Sequence, residues 1–347
     1  MQFLTAAEAI SPALNRTASL LFRPFRWGTY LKLCAVAVLT EGMTGNFQNR
    51  AGHEVHSMPG SVPHVMTSLP AGFIPMLVGF GLLALVVGVL LCYLVVRLRF
   101  ALFECLVRQM REIRPGWHRY REQAWRFFLF SIVVGFGFLA IAVAALAPFA
   151  SHIIQLVRQS QAEGRVDFGE MLGLILQLAP VLLCLGLAGF LLDVVMRDFM
   201  LPHFALENAS AGDAWGAVWD RIGHEKGAFV FYVVLRVLLP MVAMIGIFIL
   251  LAIPLFIVFG ILGGFIALLH SSPAGATAIG IFFEVAAGLI AFVLGVLLAI
   301  SFGGPLSIAI RNYALVFYGA RYQALGDALY PPLAPPAVAP APAPMPG

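Results

Sequence analysis

Six apolar blocks, at about residues 26–42, 71–96, 127–150, 171–195, 228–251 and 277–302, constrain this chain more than any other feature. A helix needs roughly 20 apolar residues to cross a hydrocarbon layer about 30 Å thick, and backbone polar groups there must be satisfied within the segment itself. Blocks of this length predict membrane-spanning α-helices. Composition agrees: 61% of the 347 residues are hydrophobic and 11% charged, against about 45–50% and about 25% in soluble domains. The expected fold is all-α, a polytopic transmembrane helical bundle of six spans over residues 1–330.

The connections orient the bundle. Eighteen of the 21 lysines and arginines fall in residues 1–32, 97–126, 197–236 and the tail; Arg50, Arg158 and Arg165 fall in the alternate connections. Basic residues are retained in the cytoplasm, so both termini are expected inside a bacterial cytoplasmic (inner) membrane. Glu8, Asn15, Arg16 and Arg23 precede the first apolar run. That run therefore reads as a signal-anchor and not a cleaved signal peptide. Residues 252–269 are too apolar for an ordinary outer loop. They read as a re-entrant or interfacial segment broken at Pro254, with a seventh span as the alternative.

Each odd-numbered span is preceded by a short amphipathic stretch suited to the membrane interface. Ser11 and Pro12 open the first, with Leu14, Ala18, Leu21 and Phe22 on one face. Trp117, Tyr120, Ala124 and Phe127 form the second. Asp213 reads as the cap of the third, which carries Trp215, Val218, Trp219 and Ile222. Laying Arg197–Trp215 on Arg311–Leu329 pairs Arg197 with Arg311 and Gly212-Asp213-Ala214 with Gly326-Asp327-Ala328. A threefold hairpin repeat over about 11–105, 114–209 and 210–325 is the organisation this implies. Residues 331–347 hold eight prolines and no charge, the composition of an extended, disordered tail.

Few residues suggest chemistry. Glu284 lies within the sixth block, where a charge is costly and usually partnered. Asp193 and Arg236, near the ends of spans four and five, suit a buried pair, and Gln177 suits an interhelical hydrogen bond. Arg97, Arg99, Arg108, Arg111, Arg114, Arg119, Arg121 and Arg126 form a basic segment suited to anionic headgroups. His53, His56 and His64 share a loop but lack the spacing that sets two metal ligands on one helical face. The four cysteines read as small hydrophobes. Nothing calls for a cofactor or for nucleic acid.

The stretches Ile-Ser-Pro-Ala-Leu-Asn-Arg-Thr at 10–17 and Leu-Phe-Arg-Pro-Phe-Arg-Trp-Gly-Thr-Tyr-Leu-Lys-Leu at 21–33 resemble the start of uncharacterised bacterial multipass membrane proteins. The architecture is similar to the membrane domain fused to some glycerophosphodiester phosphodiesterases. That resemblance implies topology and transfers no catalytic residue, because the catalytic barrel is missing. Three readings stand on the sequence. The first is a non-enzymatic protein that organises anionic lipid or a membrane partner, including a second copy. The second is an ion- or proton-linked transporter or channel using Glu284. The third is an enzyme on lipid intermediates built from Asp193, Asp198, His203 and Glu207.

Overall fold

A computed structural model describes residues 4–50, 73–163, 168–271 and 278–331, and the described residues form helices and turns with no strand. Helices α1 (Ile10–Phe22) and α2 (Trp27–Arg50) are followed by α3 (Phe73–Arg108), the short α4 (Arg114–Arg119) and α5 (Arg121–Glu163). Helix α6 (Phe168–Val194) continues through a π-helical turn (Val195–Met200) into α7 (Leu201–Leu206). After α8 (Ala211–His224) and α9 (Lys226–Ser271), α10 (Ala278–Leu298) passes through a second π-helical turn (Ala299–Gly303) into α11 (Gly304–Gly319); α12 (Gln323–Leu329) is the last helix.

Among the described residues, five stretches are long and apolar enough to cross a membrane: Gly79–Arg108, Arg121–Leu156, Met171–Leu206, Lys226–Leu268 and Gly280–Gly319. The expected first span is not among them. Helix α2 has the length, but Glu41 ends its apolar run and Thr44, Asn46, Gln48, Asn49 and Arg50 follow. Residues 252–269 are neither re-entrant nor a separate crossing. They continue α9, a single helix of 46 residues that runs through both Pro240 and Pro254. At 1.5 Å per residue it is about 69 Å long. Each proline frees one carbonyl, but an apolar segment has no better way to pair its remaining backbone than to stay helical.

The packed core lies at the arginine-bearing end of the bundle. The most apolar windows of the five long helices are at most 11% buried, so their side chains face outward. Tyr232, Tyr318, Phe100, Phe127, Phe199, Phe204 and Phe317, by contrast, are fully buried. Their rings interlock: Phe127 meets Phe204 at 5.3 Å and Tyr232 stacks on Phe317 at 4.5 Å between centroids. Aromatic pairs at such spacings add to the stabilisation from burial alone.

The amphipathic helices join this core. Helix α1 buries Ala13, Thr17, Leu20 and Leu21, with Asn312 of α11 donating a hydrogen bond to the Thr17 hydroxyl. Of the apolar stripe expected at the membrane interface, Leu14 and Phe22 point away from this core and are half exposed, whereas Leu21 is buried in it. Ser11 is not the cap. Thr5 and Glu8 bond each other's backbone N–H in a capping box ahead of the helix. In α8 the cap is Ser210, which accepts from the Asp213 N–H, placing Asp213 inside the first turn. Gly304 sits so close to Cys34 that a Cβ there would lie 2.2 Å from the Cys34 Cβ. Only glycine lets α11 cross α2 at this distance.

Candidate functional site

Two local features of the backbone prepare the site. In the first π-helical turn, Leu201 N–H bonds Met196 O, one residue beyond the usual partner. The Arg197 carbonyl is thereby released, and Arg311 Nη1 donates to it at 2.9 Å. After the second turn, Pro305 has no N–H for the Ser301 carbonyl, and the Tyr30 hydroxyl donates to it instead at 2.7 Å. Turns of this kind are enriched at functional sites. Here the first turn carries Arg197 itself and the second opens into α11, which carries Arg311.

Those arginines meet in one ion cluster. Arg311 Nε donates to Glu41 Oε1 at 2.6 Å, and Arg197 Nη2 pairs with Glu41 Oε2, with Arg236 Nη2 3.7 Å from that second oxygen. Arg236 Nε and the Tyr232 hydroxyl both donate to Asp198 Oδ2 at 2.9 Å. Arg197 Nη1 reaches Asp193 Oδ2 at 3.2 Å. Arg99 extends from α3 to the Thr40 carbonyl at 3.3–3.4 Å, and Arg197 donates to the same carbonyl. Pairing of this kind is what makes buried charge tolerable. Among the described residues, four guanidinium groups (Arg99, Arg197, Arg236, Arg311) face three carboxylates (Glu41, Asp193, Asp198), one formal positive charge in excess.

The cluster floors a cavity of about 1050 Å³, open on one side. Glu41, Arg99, Asp193, Arg197 and Arg236 line its base. Its walls are apolar, with Phe138, Phe190, Pro240, Met241 and Met244 among them. Met241 and Met244 are more than half exposed and belong to the apolar length of α9. From Arg236 to Met244 the wall rises eight residues, about 12 Å of helix. The chamber is thus charged at the bottom and oily at the sides.

Comparison with known families places the molecule. A family model described as a family of unknown function, DUF7544, matches residues 4–328. The chain belongs to that family. No curated protein and no solved structure matches it, so the architectural resemblance to glycerophosphodiester phosphodiesterases rests on the sequence pattern alone.

In this DUF7544 member the sequence-nominated residues have different fates. Asp193 and Arg236 both line the cavity, yet each pairs with another residue: Asp193 with Arg197, and Arg236 with Asp198. Of the eight arginines at 97–126, Arg99 lines the cavity. Arg97 lies over the Trp117 ring at 4.1 Å and bonds its carbonyl. Arg108 and Arg119 both pair with Glu104. Arg111 holds the α1–α2 connection through the carbonyls of Ser19, Leu20, Arg23 and Pro24. Arg114, Arg121 and Arg126 are exposed. Glu284 is partly buried on α10 and does not line the cavity; Gln177 is exposed on α6. His53, His56 and His64 lie outside the described residues.

The four polar residues grouped for an enzyme separate into two sets. Asp193 and Asp198 belong to the ion cluster. His203 Nε2 lies 2.8 Å from the Tyr318 hydroxyl and Nδ1 3.1 Å from Glu207 Oε2. Burial raises the Glu207 carboxyl, but the hydrogen bond with His203 and the nearby Arg221 charge hold it below its ordinary value. Burial also pushes the Tyr322 phenol up, reinforced by the negative charge of Glu207. Tyr318 and His203 are buried, whereas Glu207 at the other end of this chain of groups is about half exposed. Sequence reading missed Glu41, which looked like the end of a block. The internal alignment pairs Arg197 with Arg311, and the expected buried pair of Asp193 and Arg236 names two more members of the cluster, each with a different partner.

Proposed function

We propose that this protein binds an anionic membrane lipid in the 1050 Å³ cavity, with the phosphate at the arginine floor and the acyl chains along the wall. The carrying observation is the vertical division of the chamber: Arg99, Arg197 and Arg236 at the base, Met241, Met244, Phe138 and Phe190 above. Guanidinium groups bind phosphate oxygens in pairs, and the single excess positive charge favours an anion over a zwitterion. The wall residues sit on helices apolar enough to meet acyl chains, which gives a lipid sideways entry without leaving the bilayer. The two arginines that align in the internal repeat, Arg197 and Arg311, support a reading in which each hairpin contributes a cation to one shared site.

This reading keeps the non-enzymatic, lipid-organising role and moves its centre from the exposed basic segment to the cavity. The inner membrane and the cytoplasmic placement of the arginine end belong to the same proposal, resting on the bias of basic residues. Native mass spectrometry of the full chain extracted in mild detergent tests it. Anionic phospholipid should be retained over zwitterionic phospholipid, and Arg99→Gln should weaken retention about tenfold, as expected for losing one charge-assisted contact. Equal retention of both lipid classes, or retention unaltered in the variant, overturns the reading.

A further inference from the structure

Beside the large cavity, and sharing Arg99 and Arg197 with it, lies a second, partly open one of only about 20 Å³, walled by Arg99, Arg197, Asp198, Arg311, Ala314 and Leu315 among others. Its size accommodates one water-sized occupant and excludes a phosphate or a lipid headgroup. Arg197 and Arg311 are 6% and 8% exposed. Arg197 Nε and Arg311 Nη2 are buried without a protein acceptor among the described residues. Buried N–H groups on charged side chains are costly to leave unpaired. Both arginines line this cavity, and each has an N–H without an acceptor among the described residues.

The charge of the wall selects the acceptor. Three guanidinium groups surround it against the single carboxylate of Asp198. Adding Glu41, Asp193 and Arg236 still leaves one positive charge over. We infer that the small cavity is a binding site for one monatomic anion of chloride size, held by Arg197 and Arg311. One such ion closes the charge balance of the cluster, whereas a water satisfies the N–H groups and leaves the charge. Because the excess charge is single, the ion and a lipid phosphate at the floor of the large cavity oppose each other. The ion site itself does not depend on the lipid reading.

The full chain in nanodiscs of zwitterionic lipid tests this. Its melting temperature is followed as gluconate is replaced by chloride, and then by bromide, at constant ionic strength. Stabilisation should rise with halide and saturate, by about 2 °C or more once the site is filled. Ala314→Val fills the cavity and leaves every guanidinium in place, so it should abolish the halide response; Arg311→Gln should do the same if it folds. Identical curves in chloride and gluconate overturn the site. So does a halide response equal in the wild type and Ala314→Val. Retention of anionic lipid is a separate measurement, so either idea can fail alone.

Discussion

Replacing Glu41 by Gln removes the carboxylate to which three arginines turn. Arg311 and Arg197 each pair with a Glu41 oxygen, and Arg236 stands 3.7 Å away. All three arginine side chains are at most 9% exposed and Glu41 itself 14%. Glutamine keeps the shape and one acceptor but strips the charge, raising the local excess from one positive charge to two. Breaking a buried pair by removing one partner costs about 3–5 kcal/mol, and here the removed partner serves more than one cation. Asp193→Asn removes a carboxylate from the same cluster, but Asp193 is 32% exposed and pairs within one helical turn. Its loss should cost less than about 1 kcal/mol. Thermal unfolding followed by size-exclusion chromatography in detergent reads the difference. A double cycle with Arg311→Gln should show the two losses falling well short of additive. If Glu41→Gln melts like Asp193→Asn, or the cycle is additive, the cluster is not the electrostatic centre described here.

Gly304→Ala forces a Cβ to within 2.2 Å of the Cys34 Cβ and 2.7 Å of its Cα. The crossing of α2 and α11 must open, at about 1–3 kcal/mol. Gly186→Ala meets nothing within 4 Å and should be neutral or stabilising by up to about 1 kcal/mol, which unfolding measurements on both variants check. Tyr30→Phe leaves the Ser301 carbonyl without its hydroxyl donor and should lower stability by about 1 kcal/mol. In a Pro305→Ala background the alanine N–H can serve that carbonyl, so the same substitution should cost less; an undiminished cost removes the hydroxyl from this role.

Much of the architecture was legible because the relevant signals are local. Apolar length and helical period depend on neighbours a few residues apart, so the all-helical class and the five long blocks from 71 onward read directly as span-length helices. Where the reading stumbled, the competing effect was also specific. Helix α2 carried enough apolar residues to look like a span, and its polar C-terminal half then told against it. Pro254 looked like a break, yet continued helix was the better way for α9 to pair its backbone. Leu14, Ala18, Leu21 and Phe22 read as the interfacial stripe of α1, and nothing local marks the neighbouring face that α11 accepts, where the Thr17 hydroxyl meets Asn312.

What the sequence determined by itself is the solvent this chain is built for: long apolar helices, and arginines withheld from their middles and gathered beyond their ends. Which of those arginines form a site was decided by tertiary structure. Glu41 and Arg311 are 270 residues apart, and no periodicity joins positions at that separation. They meet because glycine at 304 lets α11 approach α2, and because a π-helical turn frees the Arg197 carbonyl to hold the Arg311 guanidinium. Arg97, Arg108 and Arg111 have the same chemistry as Arg99 and Arg197, but the fold turns them to an aromatic face, a carboxylate and a set of carbonyls that do not line the cavity. A residue's charge is written in the chain; where that charge is placed is settled by the partners the fold brings to it.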